Sequence, residues 1–138
     1  LYRQGNYPAA RAAYSRALAA PALDDASRAS YLNWLACVCL DQGDLGTASA
    51  HSSAALACFQ AQPAVDFPQR IHAVHALVLY RCGEDADPAL HEAAQVLSRI
   101  LDEIPAKSDR RRYGRNLAVN RFIRAAQAGD WHTHHPLF

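Results

Sequence analysis

The chain has 138 residues, of which 51% are hydrophobic and 20% are charged, and its formal net charge is +1. This length suits a single domain with its own core, and the near-neutral charge gives no bulk electrostatic reason to expect nucleic acid or acidic lipid as a partner. No apolar run reaches the roughly 18 residues of a transmembrane helix, and no secretory signal is visible, so we expect no membrane association.

The first predicted helix covers residues 7–20 and follows the turn Gly5-Asn6. Its apolar side chains recur at spacings of three and four residues, which places them on one stripe of the helix. Alanines in the stripe let a neighbouring helix approach closely, and tyrosines fill the remaining space. The stripe consists of Tyr7, Ala10, Tyr14, Ala17 and Leu18.

Five further helices are predicted along the chain, at residues 25–42, 45–62, 68–82, 88–103 and 108–128. Proline at positions 68 and 105 marks the turns between units, because proline cannot continue a helix interior. Ala48 repeats the small-residue stripe in the second unit. The C-terminal WHTHHPLF begins where a final second helix is due, so it is either that helix or a linker towards a further domain.

A glycine followed by a polar or acidic residue recurs along the chain at intervals of 38, 40 and 46 residues. A period in this range is typical of a helical solenoid. Each glycine ends a helical run, where a left-handed residue is needed, and Asn6, Asp44 and Asp130 can then cap a following helix. In the third unit we expect Asp87 and Pro88 to start the helix. The four glycines are Gly5, Gly43, Gly83 and Gly129.

The segment GNYPAARAAYSRALAAP, from Gly5 to Pro21, resembles the second helix of a tetratricopeptide repeat. The resemblance extends over nearly the whole chain, since Leu35-Ala36 and His75-Ala76 each precede a glycine at the spacing of a first helix, with the alanine where helices should cross. It implies an all-α fold, a right-handed α-α superhelix of antiparallel helix pairs, with units of about 1–21, 25–62, 67–104 and 108–138. The first unit lacks its first helix and the chain begins without Met, so we expect a fragment of a longer protein.

A second likeness concerns the last third of the chain. The segment LSRILDEIPAKSDRRRYGRNLAVNRFIRAA, from Leu97 to Ala126, is similar to the closing part of tetratricopeptide modules in large bacterial regulators. This likeness implies an interaction scaffold or sensor in a bacterial multidomain protein involved in signalling or transcription regulation.

A binding groove follows from the resemblance, because first helices line the concave side of such an array. Alignment on the crossing alanines, with Ala118 taken for the last unit, places groove residues on three helices. The aromatic residues Trp34 and Tyr80 could anchor a peptide, although filling the core is the commoner role. The groove candidates are Ser30, Asn33, Cys37, Arg70, Ala73, Leu77, Arg112, Arg115 and Val119.

The last predicted helix is rich in arginine, which predicts either a solvated face or a cationic end of the groove. Guanidinium groups pair bidentately with carboxylates and phosphates, so the expected partner is an acidic protein segment and not nucleic acid. Self-association into a homodimer and binding of a small anion or nucleotide are the alternatives. The arginines are Arg110, Arg111, Arg112, Arg115, Arg121 and Arg124.

No motif for catalysis, a cofactor or a metal stands out, so we expect a non-enzymatic protein without either group. His132, His134 and His135 cluster near the C-terminus, but no acidic or cysteine ligand is near them in sequence. His72 and His75 lie one turn apart and could share a face, and we expect His75 to be a core histidine with its hydrogen bonds satisfied. The cysteines all lie in apolar stretches, which predicts buried thiols and a reducing cytoplasm. They are Cys37, Cys39, Cys58 and Cys82.

Overall fold

The computed structural model describes residues 1–61 and 65–138, and within these ranges the only regular elements are α-helices. The all-α prediction is confirmed, whereas the predicted end of the third helix at residue 62 lies outside the described residues. No helix in these ranges is long and apolar enough to cross a bilayer. The helices are α1 (Tyr7–Leu18), α2 (Asp25–Asp41), α3 (Leu45–Ala61), α4 (Pro68–Arg81), α5 (Asp87–Asp102), α6 (Lys107–Asn116) and α7 (Ala118–Gln127).

Consecutive helices pack against each other in the manner of a repeat protein. The most extensive contacts join α2 to α3 and α4 to α5, and α1 packs on α2 in the same way. Contacts also join α2 to α4 and α4 to α7, so these three helices lie side by side. The glycine period in the sequence therefore corresponds to a real structural period.

Each of the four recurring glycines ends a helical turn in the left-handed conformation, with φ between 74° and 91°. At Gly43 the glycine amide donates to the Leu40 carbonyl at 3.0 Å, and the Asp44 amide donates to the Cys39 carbonyl at 2.9 Å. The same pair of hydrogen bonds closes the turns at Gly5, Gly83 and Gly129. This Schellman arrangement satisfies carbonyls that a helix end leaves open.

Side-chain caps start several helices where the sequence predicts them, with two exceptions. Asn6 and Asp44 accept hydrogen bonds from the amides of Ala9 and Thr47. Asp87 is not the cap of α5, because it is the first residue inside the helix and Ala86 is the N-cap residue; the Asp87 amide donates to Asp85 at 3.1 Å. Asp130 accepts from two amides that follow it, but an irregular tail comes next, so no final second helix forms.

The core consists of the small-residue stripes and the aliphatic side chains of α2, α4 and α7. Ala36, Ala48 and Ala76 have no exposed surface, and Ala10 is 2% exposed. Helices therefore approach one another at alanine, as the stripes predict, and the half-buried rings of Tyr7 and Tyr14 pack around the edge. Two predicted buried thiols, Cys58 and Cys82, are only half-buried.

The single helix predicted at 108–128 is wrong, because the chain breaks at Leu117, whose backbone is extended with φ −84° and ψ 131°. Side chains of α7 take over the carbonyls that the break leaves open at the end of α6. Asn120 donates to the Tyr113 carbonyl at 3.0 Å, and Arg121 donates to the carbonyls of Arg115 and Asn116 at 2.7 and 2.9 Å. These bonds stabilise the break.

The break also changes the register of the last unit. Ala118 is the first residue of α7 and not a crossing position. Counting seven residues back from Gly129, as Ala36 and Ala76 precede their own glycines, reaches Phe122, which has no exposed surface. The predicted alignment of Arg112, Arg115 and Val119 with the groove is therefore displaced by one turn.

Candidate binding face

Arg70, in the first turn of α4, is held against two aromatic rings. Its guanidinium carbon lies 4.8 Å from the ring centroid of Phe67 and 5.7 Å from that of Trp34, both within cation–π range. Phe67 has a left-handed backbone with φ 53°, which is uncommon and strained for an aromatic residue. The Arg70 amide donates to the Phe67 carbonyl at 2.9 Å, so backbone and side chain together fix the arginine.

The guanidinium of Arg70 has no carboxylate partner among the residues that the structure describes. Its Nε atom is buried and makes no hydrogen bond within the same ranges. Burial lowers the pKa of Arg70, and the nearby Cys37, Asp66 and Tyr113 oppose that shift. Arginine nevertheless stays protonated in proteins. Arg70 is therefore a fixed positive charge, and its guanidinium N–H groups can still donate hydrogen bonds to a ligand.

Asn33 contributes a second unpartnered polar group on the neighbouring helix. Its side chain is 1% exposed, and neither its amide nitrogen nor its amide oxygen has a hydrogen-bond partner within residues 1–61 and 65–138. A buried polar group without a partner costs about 1–3 kcal/mol, but Asn33 has too little exposed surface to meet a ligand at an open face. The half-buried residues Trp34, Phe67 and Arg70 are accessible, and we name this set the α2–α4 site.

A buried polar network supports the first turn of α4, where Arg70 lies. Gln69 has no exposed surface, and its Nε2 donates to Asn120 Oδ1 at 2.9 Å and to the Tyr113 hydroxyl at 3.3 Å. Asn120 in turn donates to the Tyr113 carbonyl. The network thereby joins α4, α7 and α6. Because Gln69 immediately precedes Arg70, the network also fixes the position of Arg70 on α4.

Five of the predicted groove residues lie in the core and cannot line an open groove. Cys37, Leu77, Val119 and Asn33 are 1–4% exposed, and Ala73 is fully buried. Burial raises the pKa of the Cys37 thiol, as does the charge of Asp41, so this thiol is not reactive. These positions fail as groove residues because their side chains face the packed neighbours of α2, α4 and α7.

The arginines of the last third form a cationic surface on α6 and α7. Residues 107–124 contain one lysine and six arginines against one aspartate, a formal charge of +6, so the rest of the chain carries −5. Within the described ranges only one of these bases pairs with a carboxylate, Arg112 with Asp109 at 4.0 Å. The positive charge is therefore available to an external anion.

Two clefts share Arg115 on this surface. One has a volume of about 360 Å³ and the other about 460 Å³. The sequence predicts that Arg112 and Arg115 line the same groove as Arg70. They line these clefts instead. The smaller cleft is lined by Ser108, Arg111, Arg112, Arg115 and Asn116, and the larger by Gly114, Arg115, Arg121, Arg124, Ala125 and His134.

The C-terminal tail, residues 130–138, packs back on the helix ends. Trp131 stacks on Tyr80 with ring centroids 4.5 Å apart. Tyr80, a predicted peptide anchor, therefore packs against the tail. His135 reaches Tyr2 and Asp41, His132 lies 3.4 Å from the Tyr80 hydroxyl, and His134 lines the larger cleft. Among the described residues no group of three potential metal ligands comes together.

His72 and His75 share one face of α4 and line a cleft of about 500 Å³ with Phe59 and Glu92. His75 Nδ1 lies 3.0 Å from the Ser52 hydroxyl. Desolvation lowers the pKa of both histidines. The two histidines share a face, and His75 has a hydrogen-bond partner, but His75 is half-buried and not in the core as predicted.

Comparison with known proteins adds no further assignment, because no protein-family profile, curated protein or solved structure matches this chain. The tetratricopeptide resemblance consequently stays a prediction from the sequence pattern. Sequence reasoning missed the aromatic support of Arg70 and the network through Gln69 and Asn120. The only signal for the former was the aromatic residue in the turn before Pro68.

Proposed function

We propose that this chain is a protein-interaction module of the tetratricopeptide type, which binds an acidic segment of a partner protein at the α2–α4 site. It would serve as a scaffold or sensor within a larger bacterial regulator, acting by binding and not by catalysis. The observation that carries the proposal is Arg70, a guanidinium held by Trp34 and Phe67 with no carboxylate of its own among the described residues.

The chemistry of this site suits a carboxylate. The planar guanidinium can form two parallel hydrogen bonds to a carboxylate, and its stacking on two rings leaves little side-chain freedom to lose on binding. The arginines of α6 and α7 would attract an acidic segment over a range of about 8–10 Å at ordinary salt.

The test is binding of a fluorescently labelled Asp/Glu-rich peptide, measured by fluorescence anisotropy at constant ionic strength. Arg70→Gln should weaken binding about tenfold or more, because a charge-assisted hydrogen bond is lost. Arg70→Lys, which keeps the charge but not the fork, should give an intermediate loss. Arg16→Gln on α1 is the matched control, since Arg16 is also a helical arginine but is exposed and far along the chain from the site.

Circular dichroism melts of each variant separate a binding defect from loss of fold. Equal peptide affinity of the Arg70→Gln and Arg16→Gln proteins would refute the proposed site. Equal affinity of the wild type for the acidic peptide and for a Gln/Ser-rich peptide of the same length would refute the proposed partner class.

A further inference from the structure

We infer that the two arginine-lined clefts, one along α6 and one where α6 meets α7, form a second binding site, which takes a ligand carrying two or three linked phosphate groups. The clefts meet at Arg115 and together bring five arginines and His134 to one surface. This inference is independent of the α2–α4 site, because Arg70 lines neither cleft.

The break at Leu117 is what gathers these charges. In one continuous helix the arginines of residues 110–115 and of residues 121–124 would follow each other along a rod. In the folded chain α7 packs back on α6, so that Arg121 and Arg124 line the same cleft as Arg115. Such convergence of like charges is unfavourable without an anion, and the described residues supply one carboxylate, Asp109, which is 4.0 Å from Arg112.

The backbone of α6 holds Arg121 by hydrogen bonds and leaves room for the exposed Arg124. Arg121 donates to the carbonyls of Arg115 and Asn116, which fixes its guanidinium at the mouth of the larger cleft. Arg124 lies directly against Gly114, where an added Cβ atom would come within 2.6 Å of the Arg124 guanidinium nitrogen. Gly114 is buried in the interior of α6, so the absence of a side chain there lets Arg124 lie in the cleft.

Linked phosphates match this arrangement better than carboxylates do. A polyphosphate concentrates several negative charges and many acceptor oxygens in a few ångströms, and arginine forks bind phosphate oxygens bidentately. Carboxylates of an extended peptide lie about 7 Å apart on one face, because alternate side chains point to opposite sides. Clefts of about 360 and 460 Å³ that share one arginine therefore fit a compact polyanion.

The experiment is isothermal titration of the whole chain with inorganic tripolyphosphate at constant ionic strength, with inorganic sulfate and the acidic peptide as comparison ligands. We expect saturable binding of tripolyphosphate that is at least about tenfold tighter than that of sulfate. The double variant Arg115→Gln/Arg124→Gln should lose about tenfold or more in affinity. Arg16→Gln/Arg99→Gln, which removes two exposed arginines of α1 and α5, should bind as the wild type does.

Gly114→Ala is a second variant that tests the site without removing a charge. Alanine favours the helix, so α6 should keep its structure, while the added Cβ displaces Arg124 and weakens tripolyphosphate binding. Arg70→Gln should leave tripolyphosphate binding unchanged, which separates this site from the proposed peptide site.

Three results would overturn the inference. The first is tripolyphosphate binding no tighter than sulfate binding at the same ionic strength. The second is an equal loss of affinity in the Arg115→Gln/Arg124→Gln and Arg16→Gln/Arg99→Gln proteins. The third is binding of a single-stranded oligonucleotide in the absence of tripolyphosphate binding, which would assign the arginines to a nucleic-acid surface.

Discussion

At the scale of single residues, the histidines of α4 illustrate how burial fixes a protonation state. His72 stands edge-on to the Phe59 ring, with centroids 5.3 Å apart, and His75 lies beside the Ser52 hydroxyl. Desolvation lowers the pKa of each imidazole. At His72 the charge of Glu92 partly opposes the shift, whereas His75 and Arg99 add to it. At His75 the charge of Glu84 partly opposes the shift. Both imidazoles are consequently neutral in the folded protein at neutral pH.

We predict that the free energy of unfolding falls as the pH is lowered through about 6.5, the ordinary pKa of histidine. In that window the unfolded chain takes up protons that His72 and His75 do not take up in the folded chain, so protonation favours unfolding. Asp41 and Asp44 have lowered pKa values and stay charged in this range, so they do not contribute to the change. Urea denaturation between about pH 7.5 and about pH 5.5 measures the effect.

The double variant His72→Asn/His75→Asn provides the comparison, since asparagine does not titrate. Its unfolding free energy should depend less on pH than that of the wild type over the same range. An unchanged pH dependence in the variant, or a wild-type stability that rises on acidification, would contradict the prediction.

At the scale of the helices, the recurring glycines decide where each element ends. Gly43 has φ 79°, and an added Cβ would meet nothing within 4 Å, so only the backbone conformation disfavours a side chain there. Gly46 lies in the first turn of α3, also with open space around it, and its φ is not left-handed. The two positions therefore differ in conformation and not in packing.

We predict that alanine changes the free energy of unfolding differently at these two positions. Gly43→Ala should lower the free energy of unfolding by about 1 kcal/mol, because the left-handed conformation is strained for an L-residue with a side chain. Gly46→Ala should leave it unchanged or raise it by up to about 1 kcal/mol, because alanine is the better helix former. Chemical denaturation of both variants tests the pair, and a loss of similar size in both would show that packing, not conformation, governs Gly43.

Most helix boundaries follow from the sequence because they depend on local chemistry. A glycine such as Gly83 or a proline such as Pro68 ends or starts a helix whatever surrounds it. The break at Leu117 could not be predicted in this way, since it is stabilised by Asn120 and Arg121 from the next helix. One missed break displaced the register of the whole last unit.

The candidate site was predictable only in part for a related reason. Arg70 follows from helical periodicity, which predicts the face of a helix on which a residue lies. Asn33, Cys37 and Leu77 obey the same periodicity but are covered by neighbouring segments, and burial of that kind depends on the tertiary fold. Phe67 lies three residues before Arg70 and is a local signal, but Trp34 lies on another helix, so its contact with Arg70 has no signal in local sequence.

At the scale of the whole molecule, one polar cluster joins the two ends of the chain to the end of α2. The Tyr2 hydroxyl donates to the Asp41 carboxylate, and His135 Nε2 lies 3.0 Å from that hydroxyl and 3.3 Å from Asp41 Oδ2. The Leu137 amide donates to His135 Nδ1, so the ring proton lies on Nε2, towards Asp41. Pro136 is fully buried beside this cluster, and the Phe138 ring stacks on His135 at 4.5 Å.

Asp41 shows the electrostatic consequence of this arrangement. Burial alone would raise its pKa, but hydrogen bonds from His135 and Tyr2 and the charge of Arg81 outweigh burial and lower the pKa. The carboxylate is therefore stabilised by groups from both chain ends, and the ends should loosen together if one of its donors is removed.

We predict that His135→Ala loosens the N-terminal turn as well as the tail. Loss of one donor to a half-buried carboxylate should lower the free energy of unfolding by about 1–3 kcal/mol. Amide hydrogen exchange should accelerate at Leu137 and also at Gly5, whose amide donates to the Tyr2 carbonyl at 2.9 Å. His132→Ala is the matched control, because His132 is exposed and meets Tyr80 only at 3.4 Å. If amide exchange in the His135→Ala protein rises at Leu137 alone, the prediction is wrong, and the cluster stabilises the tail without coupling it to the N-terminal turn.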